Sequence, residues 1–238
     1  MRNILAIFKR ELSGYFDAPL AYIVIPVFLS LVGGFSLFFQ DILADGLASM
    51  RTVFFWSAVS LLLLIPAITM RLFAEEHRTG SIELLTTFPV TEAEMVLGKY
   101  LAALTLISLA LFLTGTYPLT LAQLGALEIG PVFGGYLGLF LLAGSFAAIG
   151  TAASAMTRNQ VVAFLVAMMV CLIPFVSGYA LAKVPTPLLP LIQTLSFDYH
   201  FNNLERGVID SRNVVYYGTV IALFLHISVF ALVRRRLD

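Results

Sequence analysis

Six long stretches of this chain contain no Asp, Glu, Lys or Arg: residues 18–40, 52–70, 100–127, 129–157, 159–182 and 213–233. A helix needs about 20 mostly apolar residues to cross roughly 30 Å of hydrocarbon. Each stretch is long enough, and each is continuous. Barrel strands would instead alternate polar and apolar over segments of about ten residues. The reading is therefore an all-α integral membrane protein with six transmembrane helices. Composition agrees: 60% of the 238 residues are hydrophobic and 12% charged, too little polar surface to coat a water-soluble globule. Lys+Arg 14 balance Asp+Glu 14, so no basic excess exists for nucleic-acid phosphates. The single cysteine, Cys171, excludes an intrachain disulfide framework.

Orientation follows from the cations flanking the spans. Arg2, Lys9, Arg10, Arg71, Arg78, Lys99, Arg158, Arg234, Arg235 and Arg236 collect on the side of the N-terminus. Only Arg51, Lys183, Arg206 and Arg212 fall on the other. Both termini are expected in the cytoplasm, in a multi-pass protein of a prokaryotic inner membrane. Residues 1–17 read as an amphipathic interfacial helix. Ile4, Leu5, Phe8, Leu12, Tyr15 and Phe16 share one face, and Asn3, Arg10, Ser13, Gly14 and Asp17 the other. Asp17-Ala18-Pro19 breaks that helix and turns the chain into the first span.

Between spans two and three runs R-L-F-A-E-E-H-R-T-G-S-I-E-L-L-T-T-F-P-V-T-E-A-E-M-V-L-G-K, residues 71–99. Ser81 suits the cap of a short helix, with Gly80 permitting a tight approach. Ile82, Leu85 and Phe88 share a face beside Leu84, and Pro89 stops the helix. Thr91-x-x-Glu94 has the spacing of a capping box and opens the third span. On spacing alone, the apolar knob is buried either by a partner or by the bilayer and span ends.

E-E-H-R-T-G-S-I-E-L-L-T-T-F-P-V resembles the loop signature of ABC-2 type transporter permeases. The opening F-K-R-E-L-x-x-Y-F-x-x-P resembles the N-terminal segment of the same family, and the six-span plan fits end to end. H-F-x-N-L-E-R-G-V-I-D near residue 200 adds a likeness to the gliding-motility branch. The resemblance implies one ABC-2 type transmembrane domain over residues 1–238, in which residues 75–90 form a coupling helix that touches an ATP-hydrolysing subunit. Carried over, Glu75, Glu76, Arg78, Gly80, Ser81, Ile82, Glu83, Leu84, Leu85 and Phe88 are the docking element, aided by Phe8, Lys9, Arg10 and Glu11 of the interfacial helix. His77 stands where a Lys or Arg is common, so the charge of that contact depends on pH near neutrality. The implied partners are an ABC ATPase subunit, a second permease copy or related permease, and the bilayer. ATP and Mg would be bound by the ATPase, with no cofactor on this chain.

Residues 183–212 form the other informative segment. Pro185, Pro187 and Pro190 break any long helix. Leu188, Leu189, Leu191, Ile192 and Leu195 form a run too short to cross, of the kind read as re-entrant or interfacial. By resemblance, short helices here dip into the outer leaflet. Asp198, His200, Glu205 and Asp210 lack the tight spacing of metal ligands and read as solvated loop charges.

Absences narrow the function. Gly98-Lys99 is followed by Tyr100, and position 93 is Ala, so no phosphate-cradling P-loop exists. His77, His200 and His226 fall in three different zones, and no catalytic constellation stands out. The six stretches lack the buried charges that mark ion relays, against an ion-coupled carrier. His226 reads as hydrogen-bonded to a neighbouring helix. Gly134-x-x-x-Gly138 and the small residues from Ala143 to Ala155 let helices approach closely, most economically within one subunit. Phe35, Phe38, Phe39, Phe54, Phe55 and Trp56 suit an interfacial belt or a substrate-facing lining equally. The expected function is the permease subunit of an ABC transporter, not itself an enzyme, exporting an amphipathic or lipid-like substrate. The alternatives are a non-transporting anchor of a cell-surface machine and, third, an ion-coupled carrier.

Overall fold

The computed structural model describes residues 2–38, 50–80, 90–124, 128–180 and 189–237. Every regular element among them is a helix. The order is α1 Arg2–Asp17, α2 Leu20–Phe38, α3 Arg51–Thr69, α4 Arg71–Thr79, α5 Glu92–Leu113, α6 Thr116–Leu124, α7 Ile129–Met156, α8 Gln160–Ala180, α9 Leu189–Leu195, α10 Phe197–Glu205 and α11 Ser211–Leu237. Five helical stretches are long and apolar enough to cross a membrane: α3 with α4, α5 with α6, α7, α8 and α11. A sixth is the pair α1 and α2, which meet at a 73° bend. Pro19 sits at that bend, where its ring disfavours helix for Ala18. The six-span reading therefore holds with the first span reached through a sharp corner.

α7 is the central helix, packed by α3, α4, α5, α8, α10 and α11. Its small side chains explain the position. A Cβ at Gly134 would strike the carbonyl oxygen of Leu204 in α10, and one at Gly150 would strike the Thr69 hydroxyl in α3. Both contacts are made within the subunit, so the small residues of this span serve in-subunit packing. Large side chains fill the space around them. Phe54, Ile65, Ile68, Phe73, Leu106, Leu139, Leu142 and Phe146 are fully buried.

The two ends of the bundle differ. One end, the α4 face, gathers α1, α4, the start of α5 and the last turns of α7. The other, the α10 face, gathers α10, the start of α3 and the first turns of α7 and α11. Thr91 opens α5 with a complete capping box: its hydroxyl accepts from the Glu94 N–H at 3.3 Å, and the Glu94 carboxylate accepts from the Thr91 N–H at 3.1 Å. That motif was legible as S/T-x-x-E spacing. α5 and α6 part at Thr114-Gly115, where Tyr136 of α7 donates to the Thr114 carbonyl at 2.9 Å and Tyr117 donates to Leu29 of α2 at 3.1 Å.

His226 departs from its expected role. It is exposed on α11, a helix that leaves most of its length on the outside of the bundle. The lone His of an apolar span here faces outward because α11 packs on α7 and α5 through a different stripe.

Candidate functional site

α4 is a nine-residue helix that continues α3 past Met70. Its own cap residue, Met70, provides no side-chain hydrogen bond, so its first-turn N–H groups need another acceptor. Ser154 of α7 supplies it. The Ser154 hydroxyl accepts from Phe73 N–H at 2.9 Å and Ala74 N–H at 3.0 Å, and donates to the Met70 carbonyl at 2.9 Å. One buried hydroxyl thus fastens the base of α4 to the central helix. At its far end α4 stops at Gly80, whose φ of 74° is a left-handed conformation that glycine adopts without a Cβ penalty.

The side of α4 carries Glu75 and Glu76. Glu76 points at a cation that sequence reasoning had assigned to topology alone. Lys99 lies 2% exposed, about two turns into α5. Its ammonium donates to Glu76 Oε1 at 2.8 Å, to Glu11 Oε1 of α1 at 2.9 Å and to the Leu72 carbonyl at 2.8 Å. The Phe73 ring centroid is 5.2 Å from it. All three donors of the ammonium are therefore used, by three partners on two other helices. Arg10 closes the ring, 3.2 Å from Glu11 and 3.7 Å from Glu76. Arg71 pairs with Glu75 across one helical turn at 3.1 Å.

The electrostatics follow from burial. Withdrawal from water works to raise the Glu11 carboxyl, but the Lys99 ammonium and then Arg10 outweigh it and hold Glu11 below the ordinary carboxylate range. Burial pushes the Tyr15 phenol, one turn further along α1, well up. A cavity of about 300 Å³ opens beside this cluster, lined among the described residues by Arg10, Glu11, Tyr15, Arg71, Glu75, Glu76 and Lys99 and by the bend residues Ala18 and Leu20.

The structure brings together Arg10, Glu11, Glu75 and Glu76 of the residues singled out from sequence. Phe8 packs on the core, whereas Lys9 is exposed on α1. Arg78 and Gly80 are exposed at the tip of α4. Ser81, Ile82, Glu83, Leu84, Leu85 and Phe88 lie outside the described residues. Lys99, Arg71, Tyr15 and Ser154 were missed. Lys99 looked like a span-flanking charge, and the only available signal was its position after Gly98, inside the helix opened by the Thr91 cap.

The α10 face holds a second polar cluster, and it corrects an expectation. The acids of residues 198–210 are not all solvated loop charges. The Glu205 side chain is 6% exposed and accepts from Arg51 Nε at 3.0 Å. Burial pushes the Glu205 carboxyl up to about 7, with Arg51 opposing it only in part because that guanidinium is 60% exposed. Burial likewise raises Asp198. His200 is buried, stacked on Tyr216 at 4.0 Å and hydrogen-bonded through Nδ1 to Asn213 at 2.8 Å. The reason is amphipathicity that the proline-rich run obscured. Ser196 caps α10 through the Tyr199 N–H at 3.2 Å, and Phe197, Phe201 and Leu204 then face inward and carry their neighbours with them.

A bundle of apolar helices around a small-residue core, with charged elements confined to its ends, defines a multi-pass membrane protein. The family model described as ABC-2 family transporter protein matches residues 29–233, and the chain belongs to that family. It is thus a membrane component of an ABC transporter class, not a catalytic subunit, in a family whose members associate with an ABC ATPase. A comparison with curated proteins finds no matching relative.

Proposed function

We propose that this chain is the permease subunit that carries an amphipathic or lipid-like substrate outward, driven by ATP hydrolysed on a separate subunit. ATP and Mg would belong to that subunit. The observation that supports the reading most directly is the Lys99 cluster. It ties α1, α4 and α5 into one unit at the face that the excess of Arg and Lys assigns to the cytoplasm. An ATPase pair docked on α4, on residues 81–89 beyond it and on α1 would then push a fastened lever. Ser154 passes the displacement to α7, the helix that touches most of the others. The gate is a two-state packing change biased by docking geometry. A second permease chain, identical or related, completes the path. The six charge-free stretches of the sequence suit an amphipathic cargo better than an ion.

The test is co-purification with a candidate ABC ATPase subunit, followed by reconstitution in liposomes with a fluorescent lipid. ATP-dependent flux that falls when Glu75 and Glu76 are replaced by Gln, together with weaker ATPase stimulation, supports the reading. ATPase association without any flux would assign the chain to anchoring. Flux that persists without the ATPase would overturn the account.

A further inference from the structure

The cavity beside the Lys99 cluster is a recess between α1 and α4 rather than a flat docking face. It is concave, at about 300 Å³ it reaches the small end of ligand-pocket size, and it mixes charges of both signs. Three cations, Arg10, Arg71 and Lys99, face three carboxylates, Glu11, Glu75 and Glu76. Lys99 is saturated by its own contacts. Arg71 is not: its one hydrogen bond runs from Nε to Glu75, leaving both terminal nitrogens of a 44%-exposed guanidinium available. On the acidic side, Glu76 Oε2 has no hydrogen-bond partner, and in the cavity lining the buried Tyr15 hydroxyl has none either. A site that leaves donors and acceptors unused side by side suits a ligand carrying both an anion and a hydrogen-bonding cation. A purely anionic ligand meets the carboxylates, and a purely cationic one meets Arg10 and Arg71.

The source of such a ligand follows from place. The cavity opens at the bend between α1 and α2, with Ala18 and Leu20 in its lining. Ile23 and Val27 succeed Leu20 at helical spacing on α2, at 57% and 39% exposed. Tyr22, 67% exposed, meets Phe16 edge-on across the corner. An apolar strip thus leads away from a zwitterionic cavity at the end of the first span, the level at which lipid headgroups lie.

We propose that this cavity binds the headgroup of a phosphatidylethanolamine-type lipid, phosphate toward Arg71 and Arg10, primary ammonium toward Glu75 and Glu76, acyl chains along Leu20, Ile23 and Val27. The lipid braces the corner between α1 and α4. The inference stands independently of the transport reading, because it needs only the chain in a bilayer.

The full-length protein, delipidated in detergent, is offered dioleoyl-phosphatidylethanolamine, -phosphatidylcholine or -phosphatidylglycerol, and retained lipid is counted by native mass spectrometry. Phosphatidylethanolamine is expected to be retained about tenfold over the other two, the difference made by one charge-assisted hydrogen-bond set. The quaternary ammonium of phosphatidylcholine cannot donate to the glutamates, and phosphatidylglycerol has no cation. The paired substitution Arg71→Gln with Glu75→Gln keeps the lining neutral at one exposed and one half-buried position and should abolish the preference. Tyr15→Phe, which keeps the packing, should lower it. Equal retention of the three lipids, or an undiminished preference in the paired variant, overturns the proposal. Thermal stabilisation by soluble O-phosphoethanolamine equal to that by the lipid would overturn the lipid as its source.

Discussion

Lys99 Nζ sits 2.8 Å from Glu76 Oε1 and 2.9 Å from Glu11 Oε1, so one buried ammonium bridges carboxylates from two helices far apart in sequence, with Arg10 as the second cation. Removing a partner from a buried ion cluster leaves uncompensated charge, at a cost of about 3–5 kcal/mol. Lys99→Met should therefore lower the melting temperature sharply. Combining it with Glu76→Gln and Glu11→Gln should recover much of the loss, because the triple variant buries no unpaired charge. A thermal-melt series in detergent reads this, and a triple variant no more stable than Lys99→Met would contradict it.

Ser154 caps α4 from another helix. Ser154→Ala leaves the Phe73 and Ala74 N–H groups without their acceptor, and a buried unsatisfied donor costs about 1–3 kcal/mol. The expected result is faster amide exchange confined to the first turn of α4. Hydrogen exchange followed by mass spectrometry checks it, and protection unchanged in that turn would count against the cap.

Glu205 makes the α10 face sensitive to pH. Its carboxyl is raised from the ordinary value of 4.5 to about 7, so between those values the folded state holds a proton that the unfolded state has released. Stability contributed by this group is present below about 4.5 and is lost as pH rises toward about 7. Glu205→Gln should flatten that decline. The attraction of Arg51 is already contained in that value, because it holds the carboxyl lower than burial alone would. Melting temperature against pH from 4 to 8 tests this, and parallel curves for the wild type and the variant would refute the assignment.

Gly134 touches backbone, not a yielding side chain. Gly134→Ala would force α10 away from α7, at roughly 1–3 kcal/mol for an overpacked contact. Gly218→Ala in α11 meets nothing within 4 Å and should be neutral or slightly stabilising, as expected when glycine leaves an open helix interior. Comparing the two melts separates packing from helix propensity.

How far the chain could be read without its fold varies by element. The apolar spans, the α1 corner at Pro19 and the Thr91 cap are local, set by residues within a few positions of one another. The span of small residues in α7 showed that something packs closely there, but not that Leu204 and Thr69 do. His226 and the acids of α10 were misjudged because composition does not tell which stripe of a helix meets its neighbours.

Periodicity and charge placement alone therefore determined a polytopic helical bundle, its corner at Pro19 and the charged character of residues 71–99. Only the tertiary structure decided that Lys99 is a buried junction and that Glu205 leaves water. Helix formation depends on neighbours within a turn, whereas the burial of a charge depends on partners that the chain supplies from 23 to 154 positions away, which no local pattern encodes.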